Sequence, residues 1–152
     1  MKRLITLFFA MVILTSVLPI DSLASDNTEE NVVMEFEDGS YMTECIISSP
    51  KRASGSKSGS KNKTFYDSHG DAKWMATISG TFTYTGSTST CTAASCSVTI
   101  YDSDWYTISK SAIKSGNTAT GNVTIGEKLL GVKVNEVSTS VSLKCDANGN
   151  LS

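Results

Sequence analysis

The sequence predicts an all-β protein, an antiparallel sandwich of two sheets tied together by disulfides. Three observations carry this. Apolar and polar residues alternate with period two over several runs, turn-forming residues separate those runs, and no stretch beyond the N-terminus shows a helical stripe. Short strands at regular spacing bury their apolar faces most simply against a second sheet.

The clearest run is Trp74 to Thr85. Trp74, Ala76, Ile78, Gly80, Phe82 and Tyr84 fall on one side, Met75 and a continuous Thr/Ser face on the other. Gly80 in its middle marks a bulge or a close approach. Cys96, Val98 and Ile100 define the next strand, and Tyr106 and Ile108 continue a further one around Trp105. Ala119, Gly121, Val123 and Ile125 alternate with Thr118, Thr120, Asn122 and Thr124. Val132 and Val134 form a short strand, and Val141, Leu143 and Cys145 line the last. Turns are expected at 67–71, 86–87, 102–104, 115–117 and 148–150, where Asp, Asn, Ser and Gly gather. The order Cys91, Trp105, Cys145 echoes that of immunoglobulin domains and keeps an immunoglobulin-like arrangement in view. Leu143, however, stands where the tyrosine of the tyrosine corner belongs. The plain sandwich is the stronger expectation.

Residues 1–24 read as a signal peptide. Met1-Lys2-Arg3 is a positive head, Leu4 to Leu18 an apolar run, and Ser22-Leu23-Ala24 a small-residue exit before Ser25. Thr15, Ser16 and Pro19 weaken the same run as a membrane span, so the expected location is secreted, extracellular, with no integral membrane association after cleavage. Without that segment, which holds Lys2, Arg3 and Asp21, the 13 basic and 15 acidic side chains fall to 11 and 14. That balance argues against a nucleic-acid partner. Residues 25–40 carry only acidic charges and are expected to be largely disordered, although Val32 to Phe36 has the composition of a strand. Residues 41–152 then form one domain. Within it, residues 49–62 mix Lys51, Arg52, Lys57 and Lys61 into Ser and Gly and read as a flexible basic loop, protease-sensitive at Lys51-Arg52.

Four cysteines, Cys45, Cys91, Cys96 and Cys145, suit an oxidising compartment and imply two bridges. Cys91–Cys96 with Cys45–Cys145 is one pairing. Cys91–Cys145 with Cys45–Cys96 is slightly favoured, because it fastens an N-terminal strand with little else to hold it. No CxxC pair points to a metal.

No constellation of residues points to catalysis. His69 is the single histidine, and Asp67-Ser68-His69-Gly70-Asp71 reads as a turn before it reads as a metal site. No Gly-x-Ser-x-Gly elbow is present, and the acids of the β-rich part lie mostly in turns, so no carboxylate pair stands out. Asp102-Ser103-Asp104 and Asp146 to Asn150 carry spaced oxygens but lack the pattern of a calcium loop, leaving only a weak shared site to consider. No cofactor is expected. Trp74, Phe82 and Tyr84 share one strand face and belong to the core. Tyr101, on a polar face, Trp105, after an Asp turn, and Tyr106 are the candidate ligand-binding residues.

From about Lys63 onward the chain resembles a group of small secreted β-sandwich proteins of Gram-positive gut bacteria. The resemblance rests on Gly80-Thr81-Phe82-Thr83-Tyr84-Thr85-Gly86 with Cys91, Trp105, Ser115-Gly116-Asn117-Thr118-Ala119-Thr120 and the ending Leu143 to Ser152. It implies an extracellular β domain of unassigned activity. The expected function is therefore a secreted, non-enzymatic binding module whose partner is a cell-wall or host glycan or protein. A self-associating surface component is the alternative, and a small hydrolase using His69 or the turn acids ranks third.

Overall fold

The computed structural model describes residues 30–49 and 55–152, so the expected signal peptide, the start of the acidic segment and Lys51-Arg52 lie outside the described residues. Eight strands follow one another: β1 (Asn31–Glu35), β2 (Tyr41–Ser48), β3 (Ser56–Tyr66), β4 (Ala72–Tyr84), β5 (Ser89–Ile100), β6 (Trp105–Ser115), β7 (Thr118–Leu129) and β8 (Val132–Lys144). They form two antiparallel sheets, β1-β2-β3-β4-β5 and β6-β7-β8. Every hydrogen-bonded neighbour is also the next strand in the chain. That is an up-and-down meander folded once between β5 and β6, without the Greek-key crossovers of an immunoglobulin domain.

Period-two alternation places the core. Trp74, Ala76, Ile78 and Phe82 of β4 face Ala119, Val123 and Ile125 of β7 and Val141 and Leu143 of β8, all buried. Gly80 is a close-approach glycine. A Cβ there would meet the Phe82 ring at 2.6 Å and the Ala119 Cβ at 3.2 Å.

The basic loop expected at residues 49–62 is instead mostly strand. β3 begins at Ser56 and pairs along its whole length with β4, from Ser56–Thr83 to Tyr66–Ala72. Its lysines hold the strand in place rather than float. Lys57 is buried and its ammonium donates to the Ser49 carbonyl. Lys61 and Lys63 each lie 2.9 Å from Glu44, and Lys63 also donates to the Ser140 carbonyl of β8 at 2.8 Å. Burial by itself pushes the Glu44 carboxyl up, but hydrogen bonds and charge from Lys63 and Lys61 outweigh it and hold the pKa below its ordinary value. Lys63 therefore links β2–β3 to the open edge of β8.

The segment 25–40, expected to be largely disordered, is ordered from residue 31. β1 pairs with β2, and Phe36 packs edge-on against Phe65 at 5.9 Å. All five β1 residues nonetheless stay exposed.

Of the two bridges in the favoured pairing, Cys45–Cys96 does not fit this sheet. Cys45 projects from the outer face of the five-stranded sheet, whereas Cys96 faces inward, where a Cβ on Gly121 would meet its Sγ at 2.9 Å. Three strand spacings, roughly 14 Å, also separate β2 from β5, twice the reach of a disulfide. Cys91 and Cys96 are five residues apart on one extended strand, which puts a local bridge out of reach as well. No disulfide joins Cys91, Cys96 or Cys145 in the structure.

Candidate functional site

The outer face of the five-stranded sheet is polar along most of its length. Row by row across β2–β5 it presents Thr43, Thr64, Met75 and Thr99, then Cys45, Asn62, Thr77 and Ser97, then Ile47, Ser60, Ser79 and Ser95. At one end of this face lie three tyrosines. Tyr41 and Tyr66 stack with ring centroids 4.9 Å apart and an interplanar angle of 11°. Tyr101, at the end of β5, is 52% exposed and its hydroxyl donates to Met75 Sδ at 3.6 Å.

Between Tyr66 and Tyr101 is a depression of about 280 Å³, lined also by Glu30, Cys45, Asn62, Thr64 and Met75. This lies just below the roughly 300–1,000 Å³ of ordinary small-ligand pockets. Among the described residues, Asn62 Oδ1 in this lining is buried without a hydrogen-bond partner, and such an unmet acceptor calls for a reason. Glu30 Oε1 accepts from the Tyr66 hydroxyl at 2.9 Å and from Thr43 Oγ1 at 2.5 Å. Burial, followed by the Glu30 carboxylate, raises the Tyr66 pKa, so the phenol stays protonated as a donor. One row further along the same face, a shallow trough of about 480 Å³ opens over Ile47, Ser58, Ser60, Ser79, Thr81 and Ser95.

The three aromatics named as candidate ligand-binding residues are split up. Tyr101 is the only one at this site. Trp105 is buried between the sheets, its ring 5.2 Å from that of Phe65, because the first residue of β6 points inward after the fold between sheets. Tyr106 points the opposite way and lies over Gly126, on the outer face of the other sheet.

The Asp-rich motifs are turn devices. Asp67 Oδ1 accepts from the backbone N–H groups of His69 and Asp71, both at 2.9 Å, and Asp102 Oδ1 accepts from that of Asp104 at 2.9 Å. Lys73 bridges both turns, 3.1 Å from each carboxylate. The Asp71 N–H first, and then Lys73 and the His69 N–H, outweigh desolvation and hold the Asp67 pKa at about 2. Asp146 Oδ1 accepts from the N–H groups of Asn148 and Asn150 at 2.8 Å, and its turn lies at the other end of the molecule. A calcium ion shared by the Asp102 and Asp146 turns is therefore ruled out by distance, since the length of β5, roughly 40 Å, separates them. Burial raises the pKa of the Cys91, Cys96 and Cys145 thiols, the reverse of what a thiolate nucleophile needs.

Sequence reasoning missed Tyr66 and Asn62. Asn62 stood in the stretch read as a loop, and Tyr66 just beyond it, so their shared face with Tyr101 was hidden. Comparison with known proteins finds no matching family model, curated protein or solved structure.

Proposed function

We propose that the protein is an exported, non-enzymatic binding module that seats a glycan on the outer face of its five-stranded sheet. The observation that carries this reading is the pair Tyr66 and Tyr101 flanking a polar depression whose lining holds the unmet Asn62 oxygen. Tyrosine gives a rigid, amphipathic surface at low entropic cost, suited to the C–H face of a sugar ring. The neighbouring Ser/Thr trough supplies hydroxyls for the next units of a chain. Export follows from the charged head, apolar run and small-residue exit of residues 1–24, and the likeness to small secreted proteins of Gram-positive gut bacteria belongs to the same reading.

An array of wall polysaccharides and host glycans, followed by calorimetry, tests it. We expect a neutral-glycan hit whose affinity falls at least about tenfold, roughly 1.4 kcal/mol, in both Tyr101→Ala and Asn62→Ala. A blank array, or a hit indifferent to both substitutions, overturns the proposal. Self-association is a second reading, favoured by the exposed edge strand β1 with Val32, Val33 and Met34 in solvent. Sedimentation showing a monomer at high concentration sinks it.

One bridge remains compatible with export to an oxidising compartment, and we propose Cys91–Cys145. Both side chains are buried in the core, and their backbone N–H groups donate to consecutive carbonyls, Gly116 at 2.7 Å and Asn117 at 3.0 Å. Exchange with a low-molecular-weight disulfide would form it, the two thiols losing two protons and two electrons as the oxidant is reduced to two thiols. Non-reducing peptide mapping should recover a Cys91–Cys145 cross-link. A cross-link involving Cys45 would contradict the fold itself.

A further inference from the structure

The β7–β8 hairpin ends in a tip that neither the core nor the tyrosine site uses. Leu129 and Val132 form its last pair, and Leu130-Gly131 makes the two-residue turn. Both turn residues have positive φ, 51° for Leu130 and 81° for Gly131, the signature of a type I′ turn. Such a turn takes Asn or Asp before Gly, and leucine is strained there. Leu130 is the one non-glycine residue with positive φ among the described residues, and it is 97% exposed. Leu129, Val132 and Val134 beside it are all more than half exposed.

The tip also projects. The last β6–β7 pair is Trp105–Glu127 and the Lys128 N–H still donates to the Asp104 carbonyl, so residues 129–132 extend past the neighbouring strand as a bare tip. Lys128 and Lys133 face each other across the base of the tip. Lys133 pairs with Glu136, and Glu127 and Asp104 lie just behind, which leaves the collar near neutral overall. Exposed aliphatic side chains on a strained turn are unfavourable twice over in water, and no contact among the described residues offsets either cost.

We propose that residues 129–132 insert into the interface of a phospholipid bilayer and hold the protein peripherally at a membrane surface. A convex apolar tip suits a bilayer, which receives protruding side chains at the acyl boundary, while Lys128 and Lys133 reach back to the phosphates. The near-neutral collar makes apolar burial the driving force. Binding to phosphatidylcholine vesicles is therefore expected, with a modest gain from phosphatidylglycerol.

The test is co-sedimentation of the exported chain, from Ser25 onward, with vesicles of each composition, alongside Leu130→Asn and Val132→Thr. Asparagine relieves the turn strain, so Leu130→Asn should melt higher than the parent while binding about tenfold more weakly. Val132→Thr keeps the strand and should weaken binding in the same direction. In Leu130→Trp, tryptophan emission should gain a blue-shifted component on adding vesicles. The proposal is overturned if the parent chain stays in the supernatant with both lipids, if both tip variants bind as tightly as the parent, or if the Leu130→Trp emission does not move. The last pattern would leave a protein groove as the occupant of the tip.

Discussion

Strand β7 carries a hairpin turn at each end, and the two turns obey opposite rules. At one end Gly116 takes φ 55°, with Asn117 after it, a sequence suited to its backbone. The Gly116 and Asn117 carbonyls accept from the N–H groups of Cys91 and Cys145, and Asn117 Nδ2 donates back to the Cys145 carbonyl at 2.8 Å. At the other end Leu130 adopts a conformation that leucine disfavours and touches little but solvent. Where residue, backbone and packing agree, a turn is there to specify the fold. Where they conflict without local compensation, the conflict points to a task outside the fold.

The comparison breaks first if the well-matched end does not carry stability. Phe82, opposite Cys91 and wholly buried, should cost about 3–5 kcal/mol when replaced by alanine, read from urea denaturation. Leu129→Ala at the bare tip should stay within about 0.5 kcal/mol. Comparable losses at both sites would abolish the distinction.

A finer test exchanges the backbone logic of the turns. Nothing lies within 4 Å of a Cβ added to Gly116, so Gly116→Ala isolates the backbone term. It should lower stability by about 1–2 kcal/mol. Leu130→Asn should instead raise it, by up to about 1 kcal/mol. Opposite signs in paired thermal melts support the contrast, and equal signs remove it.

The alternating strands were legible in the sequence because one face of each is apolar. β4 and β7 announce the core through Trp74, Ile78, Phe82, Val123 and Ile125, and these are the residues buried. β3 was not legible. Its inward positions include Lys57, Lys61 and Lys63, whose partners Ser49, Glu44 and Ser140 are supplied only by the folded neighbours. Tertiary hydrogen bonding overrode a Ser/Gly/Lys composition that reads as a linker. The Cys45–Cys96 pairing failed for a related reason. A count of four says nothing about which side of a sheet Cys45 and Cys96 occupy. Tyr101 was legible as a surface aromatic from its place on a polar strand face, but its companions Tyr66 and Asn62 depended on recognising β3. The tip left a signal that went unread, two leucines before a glycine where a tight hairpin calls for asparagine.

The smallest expected effect concerns the end of the sandwich that carries the bare tip, where Lys73 joins the β3–β4 and β5–β6 turns. The Asp67 pKa is lowered to about 2, chiefly by the Asp71 N–H with help from Lys73, and that of Asp102 is lowered by the Asp104 N–H and then Lys73. A carboxyl whose folded pKa lies below its unfolded value of about 3.9 stabilises the fold above that value. The contribution drains away as pH falls toward the folded pKa. Asp67→Asn keeps an oxygen for the turn N–H groups but removes the charge. It should therefore melt below the parent at pH 7, and the gap should close between pH 4 and 2, the window set by the lowered pKa. Both carboxylates are partly exposed, so salt should shrink the gap at neutral pH as well. A gap that persisted undiminished at pH 2 would mean that the Asp67 charge is not its cause and that asparagine fits the turn less well than the carboxyl does. This end of the molecule would then owe its order to turn geometry, as the Gly116 end does, and the contrast between the two ends would rest on Leu130.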